Sequence, residues 1–258
     1  MRYAIALFAA LAWAGSAMAE IKTETVEYSH DGARLVGYLA YPADVRNPRP
    51  GVLVVPEWWG LNDYARQRAE QLAQLGYVAL AADIYGDGKV AADPKEAGAL
   101  AGRFRGDRAL LRTRTQAGLE ALKAQSGVDP SRLAAIGYCF GGTAVLELAR
   151  GGAAIAGVVS FHGGLDTPSP DASAIKTPVL ALHGADDPHV PPEQVLGFME
   201  EMRKAGADWQ LVAYGNAVHG FTNPNNGEDN SRGVAYNAAA DRRSWQDMQQ
   251  FFDAIFEP

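Results

Sequence analysis

Gly137-Tyr138-Cys139-Phe140-Gly141-Gly142 is the stretch on which the reading of the fold turns. It follows the apolar run Leu133-Ala134-Ala135-Ile136 and leads into a helix-compatible segment from about Gly142 to Arg150. A GxCxG string between a buried strand and a helix describes a sharp turn that carries a nucleophile on its crest. The backbone of such a turn is strained, so the positions two before and two after the nucleophile must lack side chains that would collide. The helix that starts there also aims its positive end at the sulfur.

Outward from this turn, the chain alternates between two textures. Upstream, Lys22 to Tyr28 and Arg34 to Tyr41 are β-like and are separated by His30-Asp31-Gly32, the pattern of an antiparallel hairpin at a sheet edge. Gly51 to Val55 is apolar on both faces, as a buried parallel strand requires. Asn62 or Asp63 can cap a helix carrying Ala65, Ala69, Leu72, Ala73 and Leu75, which stops at Gly76 before a buried strand from Tyr77 to Ala82. A helix from about Asp107 to Gln125 precedes the strand that leads into the turn. Downstream, strands are expected over Ile155 to Phe161, Pro178 to Leu182 and Trp209 to Tyr214, with helices over Pro192 to Lys204 and Ala238 to Phe256. Strands that alternate with helices predict an α/β fold built on a mostly parallel, doubly wound sheet. In such sheets, ligands gather at the carboxyl ends of the strands.

A nucleophile needs a base within hydrogen-bond reach and a carboxylate to orient that base, and the strand-turn-helix arrangement places them later in the chain in the order acid, then base. After Val179-Leu180-Ala181-Leu182 comes His183-Gly184-Ala185-Asp186-Asp187-Pro188-His189-Val190, which offers two adjacent carboxylates at a strand's carboxyl end. After the last strand comes Asn216-Ala217-Val218-His219-Gly220-Phe221. Of the five histidines, His219 alone lies beyond the strand that follows the acid, so it is the expected base. His30 reads as a turn residue, and His183 and His189 as loop or packing residues.

Composition narrows the classes. Arg2, the apolar run Ile5 to Ala14 and Ala17-Met18-Ala19 form the three parts of a secretory signal, with cleavage expected after Ala19 and a periplasmic or secreted location for the remainder. The apolar run is too short to span a bilayer core of about 30 Å. Residues 20–258 suit a single domain with no internal linker. A formal net charge of −7 and the lack of a basic stripe argue against nucleic-acid binding. One cysteine in the whole chain is unusual for an exported protein, where even numbers prevail, so Cys139 calls for a role beyond packing.

With these residues in hand, the chain resembles the dienelactone hydrolase family, the cysteine branch of the α/β-hydrolases, over nearly all of residues 20–258. The matching stretches are Val55-Pro56-Glu57-Trp58-Trp59-Gly60-Leu61-Asn62, Gly137 to Gly142, Gly184-Ala185-Asp186-Asp187-Pro188-His189-Val190 and Val218-His219-Gly220-Phe221. The resemblance implies a Cys139–His219–Asp187 triad that cleaves a small ester or lactone through an acyl-enzyme, with no metal or cofactor. The family's GxxDxxV pattern selects Asp187, leaving Asp186 as a solvated turn residue. It also implies that Glu57 contacts the resting cysteine and that the N–H groups of Trp58 and Phe140 form an oxyanion hole. Trp58 and Trp59 are expected to wall the pocket, with core packing as the alternative for one of them.

The match fails at the family's two substrate-carboxylate arginines. One position reads Thr222-Asn223, and the other falls near Leu100, with Arg103 and Arg105 close by. Arg103 is the substrate-binding candidate that remains, with a solvated surface charge as the alternative, and dienelactone itself is disfavoured as substrate. Two competing classes share the same residues: an acyltransferase, and a non-catalytic protein that uses Cys139 as a redox-sensitive or binding thiol.

Overall fold

The computed structural model describes residues 20–168 and 175–257. The signal segment expected over 1–19 lies outside the described residues.

Two strands open the chain, β1 (Ile21–His30) and β2 (Ala33–Pro42), paired antiparallel from Ile21↔Pro42 to His30↔Ala33. The hairpin occupies one edge, as its alternating pattern predicts. The remaining strands are β3 (Arg49–Val55), β4 (Val78–Ala81), β5 (Val128–Tyr138), β6 (Gly157–Phe161), β7 (Val179–Gly184) and β8 (Trp209–Tyr214). They form one sheet in the order β1-β2-β4-β3-β5-β6-β7-β8, parallel from β4 to β8. The all-parallel part is an α/β-hydrolase sheet preceded by an antiparallel hairpin.

Why the central strands read as continuous apolar runs follows from the two cores. Val52 and Val54 point to one face and Leu53 and Val55 to the other, and all four are fully buried. Helices α1 (Asp63–Gln74) and α6 (Ala238–Phe256) cover the first face with Leu72, Met248 and Phe252. Helices α2 (Pro94–Gly106), α3 (Arg108–Lys123), α4 (Phe140–Arg150) and α5 (Pro192–Ala205) cover the second with Phe104, Leu119, Val145 and Phe198.

Three boundaries differ from the sequence expectation. Helix α2 was not anticipated, because Gly98, Gly102 and Gly106 dilute its apolar stripe; Ala97, Ala101 and Phe104 are nonetheless buried at helical spacing, and Asp93 caps it by accepting from the N–H of Glu96 at 2.8 Å. Strand β5 starts five residues early, beyond Pro130, because the pairing with β3 carries an irregularity between Pro50 and Gly51. Helix α4 begins at Phe140, directly after Cys139.

Candidate active site

Five parallel strands deliver chemically useful side chains to one rim. Glu57 lies just past β3, Cys139 past β5, His162 past β6, Asp187 past β7 and His219 past β8. Because these strands run the same way, their carboxyl ends converge on a cavity of about 760 Å³. Glu57, Cys139 and His219 line it, together with Trp58, Trp59 and Phe140.

Cys139 occupies the turn between β5 and α4 with φ 54° and ψ −113°, a region that side chains with a Cβ rarely enter. The two flanking glycines explain how the turn closes. A Cβ on Gly137 would stand 2.0 Å from the carbonyl oxygen of Gly141, and one on Gly141 would stand 2.1 Å from that of Val55. The helix start is pressed just as hard against the end of β6, where a Cβ on Gly142 would meet the Cα of Gly163 at 2.8 Å.

The sulfur faces His219, with Nε2 to Sγ at 3.0 Å, and the ring's Nδ1 lies 2.8 Å from Asp187 Oδ2. Asp187 is held in turn by the N–H of His189, which donates to Oδ1 at 2.8 Å. The loops after β7 and β8 pass close enough that a Cβ on Gly184 would sit 2.6 Å from the carbonyl oxygen of Ala217. That approach is what brings a carboxylate and an imidazole separated by 32 residues into contact. Asp186 beside it is exposed, as expected of a turn residue. Burial opposes a charge on His219, but the neighbouring Cys139 sulfur and the Asp187 carboxylate outweigh it and raise the imidazole well above its usual range.

Glu57 is buried at the cavity wall, and burial raises its carboxyl above the usual range against the opposing pull of Asn223, His219 and Arg68. Its partner is not the cysteine: Asn223 Nδ2 donates to Glu57 Oε2 at 2.7 Å, while Cys139 Sγ is paired with His219. The hydrogen bond to this carboxylate thus comes from an amide in the Thr222-Asn223 segment rather than from the thiol. Trp58 and Trp59 both wall the cavity with ring centroids 5.2 Å apart, and Trp58 also packs against the core. Their loop is tied down by Tyr85, whose hydroxyl donates to the Trp58 carbonyl at 2.8 Å. The N–H of Phe140, first residue of α4, has no acceptor within its helix.

Arg103 does not line the cavity; its guanidinium lies over the Phe104 ring on helix α2. Arg105 and Arg108 line it instead, and Arg108 Nη2 donates to Asp166 Oδ2 at 3.1 Å. Helical spacing decides this, since a residue two positions on faces another way. The expectation for Arg103 is corrected accordingly.

Sequence reasoning missed His162, Thr222 and Asn223. His162 is fully buried, has a positive φ of 41°, and accepts the N–H of Cys139 on Nδ1 at 3.1 Å. Its Nε2 lies 2.7 Å from Thr222 Oγ1. The available signal was its place at the carboxyl end of the strand beside the one that carries Cys139, followed by Gly163-Gly164. His183 is buried in β7, and His189 lies at the cavity edge with its ring 5.2 Å from that of His219.

Among the described residues, no group of three or more His, Cys, Asp or Glu side chains is placed to hold a metal ion, and no helix is long and apolar enough to cross a membrane.

The family model for the dienelactone hydrolase family matches residues 35–256. A dienelactone hydrolase-like promiscuous phosphotriesterase from metagenomic libraries is 45% identical, covers 92% of this chain and 99% of its own, and superposes with a TM-score of 0.88. Protein usf of Aquifex pyrophilus is 30% identical over 205 residues, 78% of this chain and 87% of that protein. A Saccharolobus solfataricus protein provisionally named as a carboxymethylenebutenolidase is 28% identical over 88% of this chain and 97% of its own. The chain belongs to the dienelactone hydrolase family and is a hydrolase of that type.

Proposed function

We propose that the protein cleaves a small ester or lactone with Cys139 as nucleophile, His219 as base and Asp187 as the group that orients it. The observation that carries this reading is the row of hydrogen bonds from sulfur to imidazole to carboxylate, 3.0 Å and 2.8 Å long. The sulfur attacks the carbonyl carbon while His219 holds the thiol's proton. The oxyanion that forms accepts from the N–H groups of Trp58 and Phe140. Collapse of the tetrahedral adduct expels the alkoxide, which takes the proton from His219, and leaves a thioester on Cys139. His219 then removes a proton from water as its oxygen attacks the thioester, and Cys139 leaves as the thiolate. Asp187 keeps the ring proton on Nδ1, so that Nε2 faces the sulfur. Glu57 lines the same cavity with its carboxyl raised by burial and held by Asn223, so the sulfur keeps His219 as its hydrogen-bond partner.

The raised affinity of His219 for a proton supports this division of labour, because an imidazole beside a sulfur can take up its proton early. Phosphotriesters are a second substrate class, favoured by the activity named for the 45% identical relative. The reading extends to an exported protein, released after Ala19.

Cys139→Ala should abolish hydrolysis of p-nitrophenyl acetate while the circular dichroism melt is retained, and mixing the wild-type chain with that ester should add one acyl mass to the cysteine. Activity retained in the alanine variant would end the proposal. An alkylatable cysteine that never acylates would favour the redox or binding alternative, and aminolysis outpacing hydrolysis would favour acyl transfer.

A further inference from the structure

We infer that His162 is a positioning residue for Cys139, accepting the nucleophile's own backbone N–H and coupling that strained turn to a chain of buried hydroxyls behind the site. The inference rests on the triad reading and adds to it the device that keeps the sulfur in line with His219.

The hydrogen bonds fix a direction. Cys139 N–H is shared between the Phe161 carbonyl at 3.0 Å and His162 Nδ1 at 3.1 Å. Since Nδ1 accepts, the ring hydrogen sits on Nε2 and is donated to Thr222 Oγ1 at 2.7 Å. Thr222 Oγ1 shares a 2.6 Å hydrogen bond with the Tyr64 hydroxyl, which also accepts from Arg68 Nε at 3.2 Å. Arg68 closes the chain by donating to the Thr222 carbonyl at 2.7 Å and to Asp241 at 2.6 Å.

This chain is sealed. His162 and Thr222 are fully buried, and Tyr64 is 5% exposed. Burial first, then the nearby His219 ring and the Arg68 guanidinium, hold the His162 imidazole well below its usual range. It therefore stays in the one form that has an accepting nitrogen; an imidazolium would turn a second donor on the Cys139 N–H.

A filler of the same volume would not need these bonds. Both ring nitrogens are matched, and the match demands one tautomer. Cys139 and His162 are also two of five non-glycine residues with positive φ among the described residues, and they touch. Each such residue is strained and persists only where its surroundings over-determine it. Here each strained residue is part of what restrains the other. Thr222 belongs to the loop that carries His219, so one loop supplies both the imidazole in front of the sulfur and the brace behind it.

Three variants test this: His162→Ala, His162→Asn, whose Oδ1 can stand where Nδ1 accepts, and Thr222→Val, which keeps the imidazole but removes its partner. Turnover of p-nitrophenyl acetate is read beside alkylation of Cys139 by iodoacetamide, followed by intact mass, with a circular dichroism melt for each variant. Loss of one buried hydrogen bond at the nucleophile should lower kcat of His162→Ala by about 10- to 100-fold with KM within about threefold, and slow alkylation in parallel. His162→Asn should recover to within about fivefold of the wild type, and Thr222→Val should lose about 3- to 10-fold in kcat.

A folded His162→Ala with both rates within about twofold of wild type would overturn the inference, and so would an asparagine variant as slow as the alanine. If the alanine variant does not fold, Thr222→Val decides, unchanged rates counting against the brace. If the wild-type chain turns over no ester, the proposed function fails while alkylation still decides the role of His162.

Discussion

The space in front of the Cys139 sulfur and the matrix behind it are built on opposite principles. Behind it, His162, Thr222 and Tyr64 are buried and hydrogen bonded to one another, and Arg68 ties them to Asp241. In front lies a cavity of about 760 Å³ whose walls include the half-buried Trp58 and Trp59 and the exposed Arg105. On the proposed function, the contrast assigns placement of the reacting atom and choice of substrate to separate parts of the molecule. A buried, fully bonded network has one arrangement, whereas loops and helix ends at a rim can change without disturbing the sheet.

This separation can be broken from either side. The largest effect should come from the row that holds the imidazole against the sulfur: Asp187→Asn should lower kcat by about 10³-fold with KM little changed, because an amide nitrogen there can donate to His219 and reverse its tautomer. Stopped-flow acylation with an activated ester checks it, and a comparable rise in KM would blur the distinction. At the front, Trp59→Ala should raise KM for an aryl ester by about tenfold while kcat stays within about threefold, since an apolar wall contributes to binding in ground and transition states alike. Steady-state kinetics over a series of acyl chain lengths would show it.

The smallest effect concerns Glu57 and is a matter of stability. Its carboxyl is raised by burial from an ordinary value of 4.5, so in the window above that value the native state binds more protons than the unfolded chain, and stability falls as pH rises through it. Glu57→Gln can still accept from Asn223 and carries no charge to desolvate. It should raise Tm at pH 8 by about 2–4 °C, a gain that vanishes below pH ~4 where the wild-type carboxyl is neutral in both states. Equal gains at both pH values would show that burial of charge is not the cause.

Much of the placement around the sulfur was legible in the sequence. Cys139 declares itself by flanking glycines whose necessity is steric, and the structure supplies the collision each would otherwise suffer. His219 follows from chain order at strand ends, which leaves Asp186 and Asp187 open until the family's GxxDxxV pattern selects Asp187. The failures share a cause: they concern partners rather than positions. Thr222-Asn223 reads as the loss of an arginine, yet Thr222 braces His162 and Asn223 holds Glu57. Arg103 and Arg105 are two residues apart on α2 and each lies over a buried ring, Phe104 and Phe140, but only the helix's orientation against the sheet puts Arg105 at the cavity.

The amino-acid sequence by itself determined which residues are forced by local sterics and periodicity: the parallel strands with two apolar faces, the glycine-flanked turn at Cys139 and the loops at strand ends that carry Asp187 and His219. Those constraints act over a few residues, so a linear pattern records them. Only the tertiary structure decided that His162 lies under Cys139 and that Glu57 pairs with Asn223 across 166 positions. Such hydrogen bonds depend on where five strand ends meet in space, and no local spacing encodes a distance between segments so far apart along the chain.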